Sequence, residues 1–362
     1  MKTKVCCFTF ASICCACLTF FPAMAESAST SERLDRENLL QYRNASGKVV
    51  QGRTLSHWKA RKAEILRSAQ EVMGSLPGKE KRCPLDVKIE EEVDCGSYVR
   101  RLISYASEPN SRVPAYLLIP KTALEKKKKH RAILALHPTH SQIGHKVVVG
   151  FGEKENRAYA SELAERGFVV LAPSYPQLAN YWPDLKALGY RSGTMKAIWD
   201  NVRGMDLLDS LPYVKRGNFG AIGHSLGGHN SIYTAVFDDR IKVIVSSCGF
   251  DSYLDYMNGT IKGWTSDRYM PRLLDYSLPE IPFDFHELVG ALAPRPFFVN
   301  APIGDSNFKW QSVDKILTAA RPIYALHGKL NNVEVVHPDC AHDFPEAVRL
   351  QAYEVLEKHL KK

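Results

Sequence analysis

The sequence predicts an α/β fold, with a mostly parallel central sheet, an antiparallel N-terminal edge and helices on both faces. Three observations carry this. From residue 132 onward, short unbroken apolar runs alternate with stretches of helical spacing. A strand covered on both faces has no polar side, and repeated β-α alternation closes as a parallel sheet. Before residue 132, three short β segments follow one another directly, which suits antiparallel pairing through tight turns. Finally, the 362 residues are 45% hydrophobic and 24% charged. That is enough apolar material to offset the entropy of ordering, so global disorder is excluded. No internal repeat is visible, which excludes solenoids and propellers.

The first 25 residues read as a secretory signal peptide. Lys2 and Lys4 are its basic start, Val5 to Phe21 carry no charge, and Ala23-Met24-Ala25 offers a cleavage site before Glu26. The apolar run is short for a membrane span. The expected mature protein is secreted or periplasmic. Residues 26–84 are expected to form an N-terminal helical extension, because Leu55, Trp58, Ile65, Leu66, Ala69 and Val72 follow one helical face. The main domain is expected over 85–362.

Val87–Glu90, Tyr98–Tyr105 and Val113–Ile119 are the three antiparallel segments. Ala132–Leu136 is the first buried strand. A helix over Asn156–Arg166 stops at Gly167, and Phe168–Leu171 follows as a strand. Helix 195–210 leads to strand Asn218–Ile222 and helix Leu226–Phe237. Next come strand Ile241–Val245, strand Phe297–Val299, helix Ser312–Leu326, strand Val333–Val336 and helix Glu346–Leu360. Residues 250–295 interrupt the rhythm with Tyr253, Tyr256, Trp264, Tyr269, Phe283 and Phe285. They fit a cap over a site and a packed surface subdomain equally well.

The formal charge is +9. Its densest basic run, Lys126 to Arg131, has no interleaved aromatics and reads as a solvated loop, so nucleic acid is not an expected partner. A basic surface favours an anionic substrate such as an acidic glycan. Five of the nine cysteines fall in the leader, which leaves Cys83, Cys95, Cys248 and Cys340. Three pairings are open to these four, and free buried thiols are the other reading. No C-x-x-C spacing remains, and His137, His140 and His145 fit no common zinc pattern, so no metal is expected.

Gly223-His224-Ser225-Leu226-Gly227-Gly228 carries the chemistry. A strand that turns sharply into a helix pushes the serine out at the carboxyl edge of a sheet, and the glycines relieve crowding in the turn. A serine hydroxyl needs a base, and the base needs an orienting carboxylate. Asp305 follows the strand at 297, and His342 follows the strand at 333, so both emerge at the edge that bears Ser225. Asp251 is the rival acid. Asp343 adjoins His342 and is badly placed to bond its ring. His224 reads as wall rather than base. The oxyanion donors are expected to be the backbone N–H groups of Leu226 and Thr139, because Pro138 has none.

The order Ser, Asp, His resembles the α/β-hydrolase superfamily, and more closely bacterial dienelactone-hydrolase-like and acetyl-xylan-esterase-like serine esterases. The resemblance covers about residues 85–360. It rests on the serine motif, on Arg157-Ala158-Tyr159-Ala160 leading to Gly167–Pro173, and on Ala341-His342-Asp343-Phe344-Pro345. It implies a catalytic triad of Ser225, Asp305 and His342, no cofactor, and ester hydrolysis through an acyl-enzyme. Dienelactone hydrolases proper use cysteine where Ser225 stands, and glucuronoyl esterases carry arginine where Leu226 stands. With export, the resemblance leads to an expected activity on esters of extracellular carbohydrate. A prolyl-oligopeptidase-type peptidase and a catalytically silent binding protein are the alternatives. The sequence leaves oligomeric state open.

Overall fold

The apolar runs become the middle of one large sheet. The computed structural model describes residues 1–2, 33–125 and 128–360. The chain divides into Met1–Glu32 and Arg33–Lys362. The leader expected over 1–25 therefore lies, beyond Met1 and Lys2, outside the described residues. Among the described residues, both sheets and every helix belong to the second unit.

That unit opens with a small hairpin, β1 (Gln41–Arg43) and β2 (Val49–Gln51), and helix α1 (Leu55–Met73). The Thr54 side chain caps α1 by accepting from the His57 N–H at 3.2 Å. Trp58, Ile65, Ala69 and Val72 turn its apolar face into the core.

The antiparallel segments are β3 (Lys88–Asp94), β4 (Tyr98–Glu108) and β5 (Ser111–Pro120), followed by one helical turn, α2 (Lys121–Leu124). The alternating part then runs β6 (His130–Leu136), α3 (Tyr159–Glu165), β7 (Val169–Pro173), α4 (Gly193–Ser210), β8 (Val214–His224) and α5 (Leu226–Phe237). It continues through β9 (Ile241–Ser247), α6 (Phe285–Leu292), β10 (Phe297–Asn300), α7 (Trp310–Leu326), β11 (Val333–Val336) and α8 (Glu346–His359). The sheet order is β11-β10-β9-β8-β6-β7-β5-β4-β3. All pairs from β7 to β11 are parallel, and β5, β4 and β3 join antiparallel. This is the α/β-hydrolase fold.

Side-chain alternation explains the two layers. Ala132, Leu134 and Leu136 of β6 face a core shared with α1, α4, α5, α6 and α7. Ile133 and Ala135 face the opposite core, closed by α3 and α8. β6 is thus apolar on both sides, which is why Ala132–Leu136 shows no alternation.

Two expectations need correction. The basic run is not wholly a solvated loop. His130 and Arg131 begin β6, and Arg131 lies over the Phe168 ring at 4.4 Å. Lys126 and Lys127 lie outside the described residues. The region 250–295 also contains a helix, α6, that the sequence reading did not anticipate. Asp284 caps it in a capping box with Glu287. The same carboxylate accepts from Arg36 at 2.7 Å and from the Ser252 hydroxyl at 2.6 Å. Glu287 binds Arg33 at 2.9 Å. Residues ahead of the sheet and residues after β9 are therefore tied to one buried pair of acids.

Candidate active site

Ser225 occupies the single-residue turn between β8 and α5. Its φ of 56° and ψ of −119° lie in a region that ordinary side chains avoid. The surrounding packing makes the turn possible. A Cβ on Gly223 would strike the Gly227 carbonyl, and a Cβ on Gly227 would strike the Leu136 carbonyl. A Cβ on Gly228 would stand 2.7 Å from Gly249 Cα. The Ser225 N–H donates to the Ser247 carbonyl at 2.8 Å, and the Ser225 carbonyl accepts from the Gly228 N–H at 2.8 Å. The turn is fixed at both peptide groups, and the side chain remains half-buried at the sheet edge.

The loops after β10 and β11 are laced together. Ala301 N–H donates to the Val336 carbonyl, Ile303 N–H to Pro338 and Gly304 N–H to Cys340, each at 3.0 Å. This brings Asp305 under His342. The His342 Nδ1 lies 2.9 Å from both Asp305 carboxylate oxygens. The Asp305 side chain is 1% exposed and that of His342 is 22% exposed. A buried carboxylate facing Nδ1 keeps the proton there and leaves Nε2 as the basic nitrogen. Asp305 also accepts from the Asn307 and Phe308 N–H groups at 2.8 and 3.2 Å, which fixes its rotamer.

His224, next to Ser225, brings the two halves of the site together. Its ring centre lies 4.8 Å from that of His342. Its Nδ1 meets the Ser247 hydroxyl at 2.9 Å. Burial, and then the charges of Arg157 and His342, hold its pKa well below the ordinary value, so the ring stays neutral. Among the described residues the Ser225 hydroxyl makes no hydrogen bond, to His342 or to any other group.

The other two candidate acids make different contacts. Asp251 is buried, and its Oδ2 accepts from the Lys309 N–H at 3.1 Å. Burial, with the neighbouring charges of Asp284 and Asp255, pushes its pKa up to about 8. Asp343 points away from the imidazole and pairs with Arg157 and with Asn156 at 2.8 Å. Burial alone would raise the Asp343 pKa, but Arg157, the Phe344 N–H and Asn156 outweigh it and hold the group below the usual carboxylate range. Arg157 also donates to the His342 carbonyl at 3.3 Å, so it steadies the loop that carries His342.

Leu226 is the first residue of α5, and its N–H has no partner within the helix. Thr139 is exposed on the loop after β6. In that loop His137 is committed to the backbone. Its Nδ1 donates to the Pro138 carbonyl at 2.8 Å and its Nε2 accepts from the Tyr175 N–H at 3.0 Å. Burial lowers the His137 pKa to about 4.

Sequence reading missed a second layer. His229 follows Ser225 by four residues and so shares its helix face. Its Nδ1 donates to the Gly249 carbonyl at 3.1 Å, and burial lowers its pKa to about 3. The Trp264 ring packs edge-on against it at 4.8 Å. His229 Nε2 and Trp264 Nε1 are both buried with no partner among the described residues. Trp264 touches Phe308, which in turn touches His342. The spacing of four from Ser225 was the available signal for His229. Trp264 had none beyond its presence in an aromatic-rich insertion.

Comparison with known proteins gives related scaffolds. Residues 155–279 match the prolyl oligopeptidase family. A Bacillus subtilis (strain 168) protein described as "Putative hydrolase YtaP" is 26% identical over 324 residues, covering 83% of this chain and 100% of that protein. A glucuronoyl esterase from Solibacter usitatus superposes with a TM-score of 0.71 at 18% identity, over 90% of this chain and 97% of the other. Acetyl xylan esterase 1 from Thermoanaerobacterium sp. JW/SL YS485 gives 0.51 at 17% identity, over 83% and 94%. Among the described residues no helix is long and apolar enough to cross a membrane.

Proposed function

We propose that this chain is an exported serine carboxylester hydrolase acting on esters of carbohydrate. The hydrogen-bonded pair of Asp305 and His342, at the sheet edge where the Ser225 turn emerges, is the observation that carries the reading. Ser225 Oγ attacks the ester carbonyl while His342 Nε2 takes its proton. Asp305 holds the imidazole and stabilises its cation. The N–H groups of Leu226 and Thr139 receive the oxyanion. His342 then protonates the departing alcohol, and water repeats the cycle on the acyl-enzyme.

The carbohydrate part of the reading has separate support. The Solibacter usitatus and Thermoanaerobacterium proteins are esterases of carbohydrate by description. Export rests on the leader motif.

The match to the prolyl oligopeptidase family favours a second reading, a serine peptidase. It spans 155–279, which includes Ser225 but stops short of Asp305 and His342. A panel of acetyl, feruloyl and methyl-uronate esters beside proline-containing peptides decides between them. Turnover of at least one ester, absent in Ser225→Ala, is expected. Cleavage of peptides with no ester turnover would overturn the esterase reading.

A further inference from the structure

The loops after β9, β10 and β11 bring together three donor atoms of different chemistry. The Cys248 Sγ, an imidazole nitrogen of His342 and a carboxylate oxygen of Asp305 all lie within 4.8 Å of one another. Cys248 is free and buried. Its backbone sits at φ 47°, a conformation that non-glycine residues rarely adopt. The strain is held in place by its N–H, which donates to the Asn300 carbonyl at 2.8 Å. The thiol faces the Asp343 carbonyl at 3.2 Å. Ester hydrolysis makes no use of this sulfur.

We propose that Cys248, Asp305 and His342 form an inhibitory site for a thiophilic divalent cation of the Zn2+ type. The donor set is one thiolate, one imidazole and one carboxylate, with water as the fourth ligand, which suits tetrahedral zinc. Metal–ligand lengths of about 2.0–2.3 Å set tetrahedral donors roughly 3.5 Å apart. Asp305 and His342 already stand 2.9 Å apart, so it is the Cys248 sulfur that has to approach, by about 1 Å from the 4.8 Å limit. All three stand on loops rather than within strands.

The binding step balances simply. Zn2+ takes the Cys248 sulfur, which loses its proton to solvent. It takes His342 at Nδ1, the nitrogen now facing Asp305, and the imidazole proton moves to Nε2 through water. One proton is released per ion, and no oxidation state changes. The cost to catalysis is specific. Nε2 now carries a hydrogen and cannot accept one from Ser225, and Asp305 is engaged by the metal. The ion thus traps the wrong tautomer of the base.

The inhibition readout rests on the esterase reading, and the binding readout does not. Co2+ added to the full chain should produce the near-ultraviolet thiolate-to-cobalt band. The band should persist in the inactive Ser225→Ala and in Cys340→Ala, and be absent in Cys248→Ala. Zn2+ should inhibit hydrolysis of an aryl acetate, with recovery on adding EDTA. Each variant is compared with its own metal-free rate. Cys248→Ala should raise the half-inhibiting Zn2+ concentration about tenfold or more. Cys340→Ala should leave it unchanged. If the Cys248 variant does not fold, the wild-type cobalt band and the release of one proton per Zn2+ still decide. No thiolate band in the wild type, or equal Zn2+ sensitivity of folded Cys248→Ala, would overturn the proposal.

Discussion

Ser225 and Cys248 hold left-handed backbone at the ends of neighbouring strands, with φ of 56° and 47°. Strain of this kind persists only where the surroundings over-determine it. Here the peptide groups are locked across β8, β9 and β10 by the bonds from Ser225 to Ser247 and from Cys248 to Asn300. Two predictions belong to the residue scale. Ser225→Ala should lower kcat/KM by about 10⁴-fold or more while the fold is retained, as read by circular dichroism. Asp305→Asn should cost about 10⁴-fold through the wrong imidazole tautomer, whereas Asp251→Asn should keep activity. The second variant has its own signature. The folded-state pKa of Asp251 is raised to about 8. Its contribution to stability is therefore fully present below the ordinary carboxylate pKa and is lost as pH rises toward 8. Thermal melts of Asp251→Asn should match wild type near pH 4 and exceed it at pH 8. A loss of activity in that variant would make Asp251 the triad acid.

Elements position these residues, and the sequence revealed them unevenly. Helix Leu226–Phe237 and strand Val333–Val336 are legible to the residue, because a glycine-bounded turn opens the first and an isolated β-branched run makes the second. The hairpin of β1 and β2 was not legible. Its strands are three residues long, and neither Gln41-Tyr42-Arg43 nor Val49-Val50-Gln51 alternates over enough positions to signal a strand. Helix α6 was hidden for the opposite reason. All eight of its residues are buried, so no polar face marks a helical period. Within β8, Lys215-Arg216-Gly217 looks like a loop, and pairing in the sheet overrides it. Of the candidate site, the convergence of Ser225, Asp305 and His342 on one sheet edge could be read from motif and strand order. Arg157, His229 and Trp264 could not be given roles, because their contacts come from loops far apart in sequence. Element geometry yields a further prediction. Asp284→Ala removes the carboxylate shared by α6, Arg36 and Ser252. It should destabilise the protein by about 3–5 kcal/mol in a urea melt, since it leaves a buried guanidinium unpaired.

At the scale of the whole molecule, the parallel sheet works as a bracket. Three strands deliver Ser225, Asp305 and His342 to one edge from positions as distant as 225 and 342, and two apolar cores cover the sheet on either face. If the leader motif operates, protein recovered outside the cytoplasm should begin at Glu26 on N-terminal sequencing. The central claim concerns reactivity rather than substrate, so it is best tested without choosing a substrate. Fluorophosphonate labelling followed by peptide mass spectrometry reads whether one hydroxyl is activated. A triad built on Ser225 predicts a single adduct on that residue, absent in Ser225→Ala and strongly slowed in His342→Ala. An unlabelled wild-type protein, or labelling that is equally fast without His342, would contradict it.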